Sequence, residues 1–309
     1  MPKKDKLLAI VGPTASGKSE LAVSLAKKFN GEIISADSRQ IYAGMDIGTG
    51  KVEGAWKKVR GQKIYVYKGV PHYCIDFLSP KKQFSAGLFQ AKAKKAIADI
   101  LARGKLPILC GGTGHWIDAV VFEQKLPEVK PDPALRNVLE KIPAEKLFAR
   151  LQKLDPARAK NIDRFNKRRL IRALEIVMST GQPVPASNSK PSPYECLWLG
   201  LLWPQEALYK RIDPRLKERL GQGMVKEISH LHKKGLPWKK LDGFGLEYRF
   251  VGRYLQKKLT HDEMLGQLGY AIKHYAKRQM TWWRRNKNIQ WLETPFKQAG
   301  KLTKKFILG

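Results

Sequence analysis

Residues Gly12-Pro13-Thr14-Ala15-Ser16-Gly17-Lys18-Ser19 fit the pattern GxxxxGK[ST] in full. Each residue type in it has a chemical use. Glycines let a loop curl until successive backbone N–H groups converge on phosphate oxygens, and a helix N-terminus behind them adds partial positive charge. Lys18 supplies a point charge, and the Ser19 hydroxyl a ligand for Mg²⁺. The eight residues read as a loop that binds a diphosphate or triphosphate. An ordinary glycine-containing turn is the competing reading. The flanks argue against it, because the apolar run 7–11 precedes the loop and a helical pattern follows.

Such a loop does not say that a phosphoryl group moves. The predicted strand 106–110 runs into Gly111-Gly112-Thr113-Gly114 with no acidic residue at the position of a phosphoryl-transferring enzyme's magnesium-binding aspartate. Asp37, just past a predicted strand around 32–35, is the carboxylate best placed instead, since ligands of open parallel sheets lie beyond the strands' carboxyl ends. A helix cap or turn residue is the alternative for Asp37.

The elements that must position these groups follow from periodicity. Leu21, Leu25 and Phe29 recur every four residues along one helical face, and Gly31 ends that helix. A second helix is expected from the N-cap Ser85 to about Arg103, with Phe89, Ala93, Ala96, Ile97 and Ile100 facing inward. This strand–helix alternation predicts an α/β fold built on a parallel sheet flanked by helices. From 126 to 193 the sequence turns helical, charged and proline-punctuated, ending in a loop over 183–193. It reads as an inserted helical subdomain that divides a core of residues 1–125 and 194–309. Beyond it come a strand near 196–202, a helix opened by the capping-box pattern Thr260-His-Asp-Glu263, and a short strand at 290–292. The basic tail after Pro295 is expected to be loosely ordered.

The chain's 59 Lys and Arg against 27 Asp and Glu leave a net charge of +32. A surplus of this size favours polyanions and makes nucleic acid the expected partner, with an anionic membrane surface or a generally Lys-rich composition as alternatives. Cys74, Cys110 and Cys196 form no CxxC pair, and the histidines no HExxH, so neither a disulfide framework nor a zinc site is supported. No window approaches membrane-spanning length, and the run 7–11 is too short for a signal peptide. A reduced, cytoplasmic protein without membrane association is expected. Trp198, Trp203 and Trp291 sit in strand-like runs and are expected in the core. Arg168, Arg169 and Arg172 read either as an RNA contact or as a solvated basic helix face.

Several blocks carry a family resemblance. The loop 12–19, then Ile33-Ile-Ser-Ala-Asp37-Ser38-Arg39-Gln40-Ile-Tyr42 and Gly44-Met-Asp-Ile-Gly-Thr49, resemble the tRNA dimethylallyltransferases in order and spacing. So do Gly111-Gly-Thr113-Gly, Arg168-Arg-Leu-Ile-Arg172-Ala-Leu-Glu175 and Tyr275-Ala-Lys-Arg-Gln-Met-Thr-Trp282, so that the likeness spans nearly the whole chain. It implies a P-loop kinase-like core that transfers a prenyl group from dimethylallyl diphosphate to N6 of the adenine 3′ of the anticodon, with Mg²⁺, and a monomer is expected. By the same resemblance Asp37 is the general base, Thr14 and Thr113 line the reaction channel, and Arg215 of Arg211-Ile-Asp-Pro-Arg215 holds the diphosphate. Contacts to tRNA are implied for Asp37, Ser38, Arg39, Gln40, Thr113, Arg136 and the run Arg168, Arg169, Leu170, Ile171, Arg172. Departures stand at Arg39, His115-Trp116, Phe165-Asn166 and Gly243-Phe-Gly-Leu246, none of them in the loop 12–19 or at Asp37, Thr113 or Arg215. Two rivals share the loop: a small-molecule or nucleotide kinase, and a prenyltransferase acting on a free adenine nucleotide. The charge, the block 37–40 and the missing acidic residue argue against the first; the insertion and the charge argue against the second, because a mononucleotide needs no such field.

Overall fold

Strand β1 (Asp5–Val11) sends Leu7, Ala9 and Val11 into one core and Leu8 and Ile10 into another. Burial on both faces is what a continuous apolar run encodes in a parallel sheet. In the computed structural model, which describes residues 4–185, 191–293 and 295–309, seven more strands join β1. They are β2 (Gly31–Ser35), β3 (Ala55–Val59), β4 (Gln62–Tyr67), β5 (Val70–Tyr73), β6 (Leu106–Cys110), β7 (Tyr194–Leu201) and β8 (Ile289–Leu292). The sheet order is β3-β4-β5-β2-β6-β1-β7-β8, parallel from β5 to β8, with β3 and β4 added antiparallel at one edge.

Helices α1 (Lys18–Lys28), α2 (Ala86–Ala102) and α3 (Gly114–Val121) alternate with the strands. The chain then forms α4 (Pro133–Leu139), α5 (Ala144–Leu154), α6 (Pro156–Ala159) and α7 (Lys167–Thr180). After β7 come α8 (Gln205–Gly221), α9 (Met224–Lys233), α10 (Trp238–Phe244), α11 (Leu246–Leu255) and α12 (His261–Trp283), and after β8 comes α13 (Pro295–Leu308). Two compact units result: Met1–Glu123 with Pro191–Gly309, which holds the sheet, and Gln124–Lys190, which holds α4 to α7. The second unit has its own core of Leu139, Leu147, Leu151, Leu170, Ile171 and Leu174. Part of the expected 183–193 loop, residues 186–190, lies outside the described residues.

Register brings three strand ends level. Cys110 is opposite both Ile10 and Ser35, so Val11, Ala36 and Gly111 lie side by side at the end of the sheet, and Gly12 follows one residue on. Three backbone hydrogen bonds continue the ladder there: Ala36 N–H to Cys110 O, 2.8 Å; Thr113 N–H to Ala36 O, 3.2 Å; Gly111 N–H to Ile10 O, 3.3 Å. A Cβ at Gly111 would stand 2.2 Å from Ala36 O, so the approach requires glycine for steric reasons. Helix α12 begins at the expected box, with Glu263 N–H donating to Thr260 Oγ1 and Thr260 N–H to Glu263 Oε2. Its 23 residues make a rod of about 34 Å that reaches the strand ends with its C-terminal half.

Two features differ from the sequence reading. The three strands between 55 and 73 escaped it, because their turns are Arg60-Gly61 and Lys68-Gly69. In each pair both residues have positive φ, the condition for a tight two-residue hairpin, but Arg and Lys stand where Asn or Asp would have signalled it. The tail after Pro295 is not loose: α13 buries Ala299 and packs Leu302 and Phe306 onto the α1 face of the sheet. The spacing 299, 302, 306 is a helical stripe, and Lys6 Nζ donates to Phe306 O (2.7 Å) and Ile307 O (3.0 Å) near the helix's end.

Gly111→Ala is expected to lower the stability of the sheet unit by about 1–3 kcal/mol, the usual cost of forcing a methyl group into a packed contact. Urea unfolding followed by tryptophan fluorescence measures this; an unchanged midpoint would mean that the strand ends separate freely.

Candidate active site

The turn from β1 to α1 is shaped by two backbone positions. Gly17, the N-cap, has φ +93° and Ala15 has φ +60°, a left-handed value that costs a side-chain-bearing residue about 1 kcal/mol or more. Partners from the β7–α8 segment hold it. Trp203 Nε1 donates to Ser16 O at 3.0 Å, and Arg211 Nε to Ala15 O at 3.0 Å, the guanidinium lying 4.4 Å over the Trp203 ring. Because N–H and C=O of a trans peptide point oppositely, the Ser16 and Gly17 amides are turned away from those partners. This use of its indole keeps Trp203 half-buried rather than in the core; Trp291 is also half-buried, whereas Trp198 is in the core.

Lys18 Nζ donates to Pro13 O at 2.5 Å. Burial pushes its pKa down to about 8, opposed by the negative charge of Asp37 and reinforced by Arg215. Ser19 lines the same cavity in the first turn of α1, and the buried Ser16 Oγ has no hydrogen-bond partner among the described residues. Gly12 and Pro13 are buried behind the loop.

Asp37 follows β2 and lines the cavity opposite the loop 12–19. Its Oδ1 accepts from Arg39 N–H at 2.8 Å, forming a turn, while Oδ2 has no donor among the described residues. The turn and catalytic readings are therefore compatible, because each uses a different oxygen. Ser38 N–H donates to Thr113 Oγ1 at 3.1 Å, which ties this segment to the loop after β6. Gln40 Nε2 donates to Gly50 O at 3.2 Å, and the Arg39 guanidinium lies 5.6 Å from the Phe244 ring.

The segment 46–50 closes another side of the cavity. Glu227 accepts N–H groups from Asp46, Ile47 and Gly48 at 2.7–3.0 Å and the Tyr248 hydroxyl at 2.8 Å. Arg219 donates to Ile47 O and Gly48 O and pairs with Glu247. Arg215 reaches the same place: a Cβ on Gly50 would lie 2.8 Å from its Nη2. Among the described residues Arg215 has no carboxylate partner. Burial, together with Arg219 and Arg211, lowers its pKa against the pull of Glu247 and Glu218. A cavity of about 990 Å³ is thus lined by Lys18, Arg211 and Arg215, which among the described residues pair with no carboxylate, and by Asp37, one of whose oxygens accepts no hydrogen bond there. The arrangement suits a polyphosphate group beside a proton-bearing nucleophile.

Sequence reasoning missed Gln279, Glu227, Arg219, Tyr248 and Trp203 as builders of this site. Gln279 lies in one of the quoted blocks, and its signal was a carboxamide on the buried face of an otherwise basic helix.

The remaining predicted residues belong to the unit Gln124–Lys190. Arg168 and Arg169 are exposed on α7, and Leu170 and Ile171 are buried beneath them. Arg136 and Arg172 both pair with the fully buried Glu175, at 2.7 and 2.6 Å, while keeping about a third of their surface in solvent. Burial alone would raise the Glu175 pKa; the two guanidinium groups outweigh it and hold the carboxyl below its usual range.

Known proteins resemble this chain along nearly its whole length. The family model described as IPP transferase matches residues 40–286, and that described as isopentenyl transferase matches 5–72. A tRNA dimethylallyltransferase of Roseiflexus sp. (strain RS-1) is 43% identical over 288 residues, covering 92% of this chain and 91% of the relative. Another, from Geotalea uraniireducens, is 40% identical over 305 residues, 96% of each chain. The crystal structure of the tRNA isopentenylpyrophosphate transferase of Bacillus halodurans superimposes with a TM-score of 0.70 at 36% identity, covering 99% of this chain and 96% of that one. A eukaryotic dimethylallyltransferase acting on tRNA aligns with a TM-score of 0.79 at 26% identity, covering 98% of this chain and 80% of that one. With a loop of the pattern GxxxxGK[ST], a carboxylate on the same cavity and matches that run almost from end to end, the chain belongs to the IPP transferase family.

Proposed function

We propose that this protein transfers the dimethylallyl group of dimethylallyl diphosphate to N6 of the adenosine 3′ of the anticodon in tRNA. The observation that carries the reading is the single cavity in which Lys18 and Arg215 face Asp37, in a chain whose relatives are named for this reaction.

The adenine amine is a poor nucleophile, because its lone pair is delocalised into the ring. A carboxylate that accepts its proton during attack helps, and the Asp37 oxygen without a donor suits that role. The N6–C1 bond forms as the C1–O bond breaks, the proton passes to Asp37, and diphosphate departs with the bonding pair. Charge grows on the bridging oxygen, where the loop amides, Lys18 and Arg215 stabilise it. Thr14 lines the cavity, and Thr113, which follows the lining residue Gly112, holds Ser38 beside Asp37. Mg²⁺ takes few protein ligands and prefers phosphate and water oxygens, which suits a site whose hard donors are the Ser19 hydroxyl, the orphan Ser16 Oγ and Asp37. Bound there, it would neutralise diphosphate charge.

The anticodon arm gives the +32 charge a purpose. Arg168 and Arg169 are free for its phosphates, and Arg136 and Arg172 offer their exposed thirds from fixed positions. Leu170 and Ile171 contribute by holding α7 in place. The target base must leave its stack to enter the cavity. A monomer in the cytoplasm, where tRNA and the donor are available, completes the reading.

Asp37→Asn keeps the shape and removes the basicity, so tRNA affinity should stay within about threefold while the prenylation rate falls by about two to four orders of magnitude. Single-turnover assays on bound tRNA decide; a near-normal rate would make Asp37 only a turn residue.

Donor affinity should depend on pH through Lys18. The ammonium that binds diphosphate is intact below its pKa of about 8 in the free protein and is lost above it. Affinity for inorganic pyrophosphate should therefore fall by up to about tenfold per pH unit above 8, a slope that Lys18→Ala removes. Calorimetry in buffers of different ionisation enthalpy should detect the accompanying proton uptake.

Affinity for tRNA should fall by about a thousandfold between 50 and 200 mM salt if about six phosphates are contacted. A salt-insensitive affinity, or equal turnover of AMP, would favour the mononucleotide rival.

A further inference from the structure

The side chain of Gln279, on α12, lies at the junction of two loops and is only 6% exposed. Its Oε1 accepts the Thr14 N–H at 2.8 Å, and its Nε2 donates to Gly112 O at 3.0 Å. One carboxamide thus joins the loop after β1 to the loop after β6. A Cβ at Gly112 would lie 2.3 Å from Gln279 Nε2, so this close seat requires glycine there. The chain of contacts continues through Thr113, whose hydroxyl accepts the Ser38 N–H beside Asp37. The Thr14 amide is therefore directed at Gln279, and phosphate contacts fall to the amides that follow it.

We infer that Gln279 is a positioning residue that sets the gap between the donor-binding loop and the loop that orients Asp37. The direction of its kinetic effect rests on the function proposed above. The physical reason is that attack needs the amine and C1 about 3–3.5 Å apart, and a misplacement of about 1 Å costs about a hundredfold. A carboxamide offers an acceptor and a donor on one rigid plane. An ionised carboxylate lacks the donor, and lysine or arginine lacks the acceptor.

Gln279→Met fills similar volume without either hydrogen bond. The single-turnover rate should fall by about 10- to 100-fold, while affinities for inorganic pyrophosphate and for tRNA stay within about threefold. Thr14 amide exchange, followed by NMR on the free protein, should quicken by at least about tenfold, a readout independent of any reaction. Gln279→Glu is the second variant. Ionised, it repels the Gly112 carbonyl; protonated, its hydroxyl can donate there, so its rate relative to wild type at the same pH should recover as pH falls.

Unchanged Thr14 exchange, a retained rate in both variants, or a loss of pyrophosphate affinity equal to the loss of rate would each overturn the inference. If the wild-type protein fails to prenylate tRNA while Thr14 exchange still responds to Gln279→Met, the proposed reaction is wrong and the clasp between the loops stands.

Discussion

The site depends on the close backbone approach at the ends of β2 and β6. Where Gly111 passes Ala36, a methyl group would stand 2.2 Å from a carbonyl oxygen. This contact lets Thr113 N–H reach Ala36 O and the Thr113 hydroxyl reach Ser38 N–H. Asp37 is fixed by the same ladder that builds the sheet, and its position therefore draws on the stability of the whole core. The loop 12–19 leaves the neighbouring strand β1 at the same level. Parallel pairing alone thus brings the cation-bearing loop and the carboxylate-bearing segment to one edge.

Electrostatics then divides the charged groups by task. Several carboxylates around the cavity are occupied by other partners. Glu227 is taken by three backbone amides and the Tyr248 hydroxyl, and Glu247 pairs with Arg219. Asp46 and Asp76 hold the buried Lys51, and Asp76 also receives the indole N–H of Trp56. Lys51 is buried, and removing its buried partner would leave its charge uncompensated, so these groups serve structural roles. Lys18 and Arg215 remain without carboxylate partners, and burial lowers the pKa of both. A protein tolerates that cost where a ligand of opposite charge is to arrive.

The hairpins at the sheet edge serve the same end. Trp56 and Tyr65, in edge-to-face contact, both line the cavity, and Tyr65 accepts Gly54 N–H while donating to Val52 O. The edge extension therefore closes the cavity wall, and its outward lysines, Lys57 and Lys58, keep the edge from pairing with another chain.

The sequence by itself determined the GxxxxGK[ST] loop between its strand and helix, the parallel core strands, α2 with its cap at Ser85, the capping box of α12 and the helices between 133 and 180. All are local: a periodicity of two or 3.6, a cap, or a loop whose chemistry needs particular residues in a row. That Asp37 stands on the cavity wall was also legible, because residues just past the ends of parallel strands border such a crevice. The tertiary structure alone decided what depends on distant partners. The hairpins were hidden by Arg60 and Lys68 at left-handed positions, and α13 was hidden by the lysines around its apolar stripe. What each arginine of the cavity wall pairs with was not written locally either. Arg211, Arg215 and Arg219 recur every four residues along α8, and only packing sends Arg211 to Ala15 O, Arg219 to Ile47 O and leaves Arg215 unpaired. Gln279 is the extreme case. Its hydrogen bonds span 265 and 167 residues of sequence, distances over which no local pattern carries information.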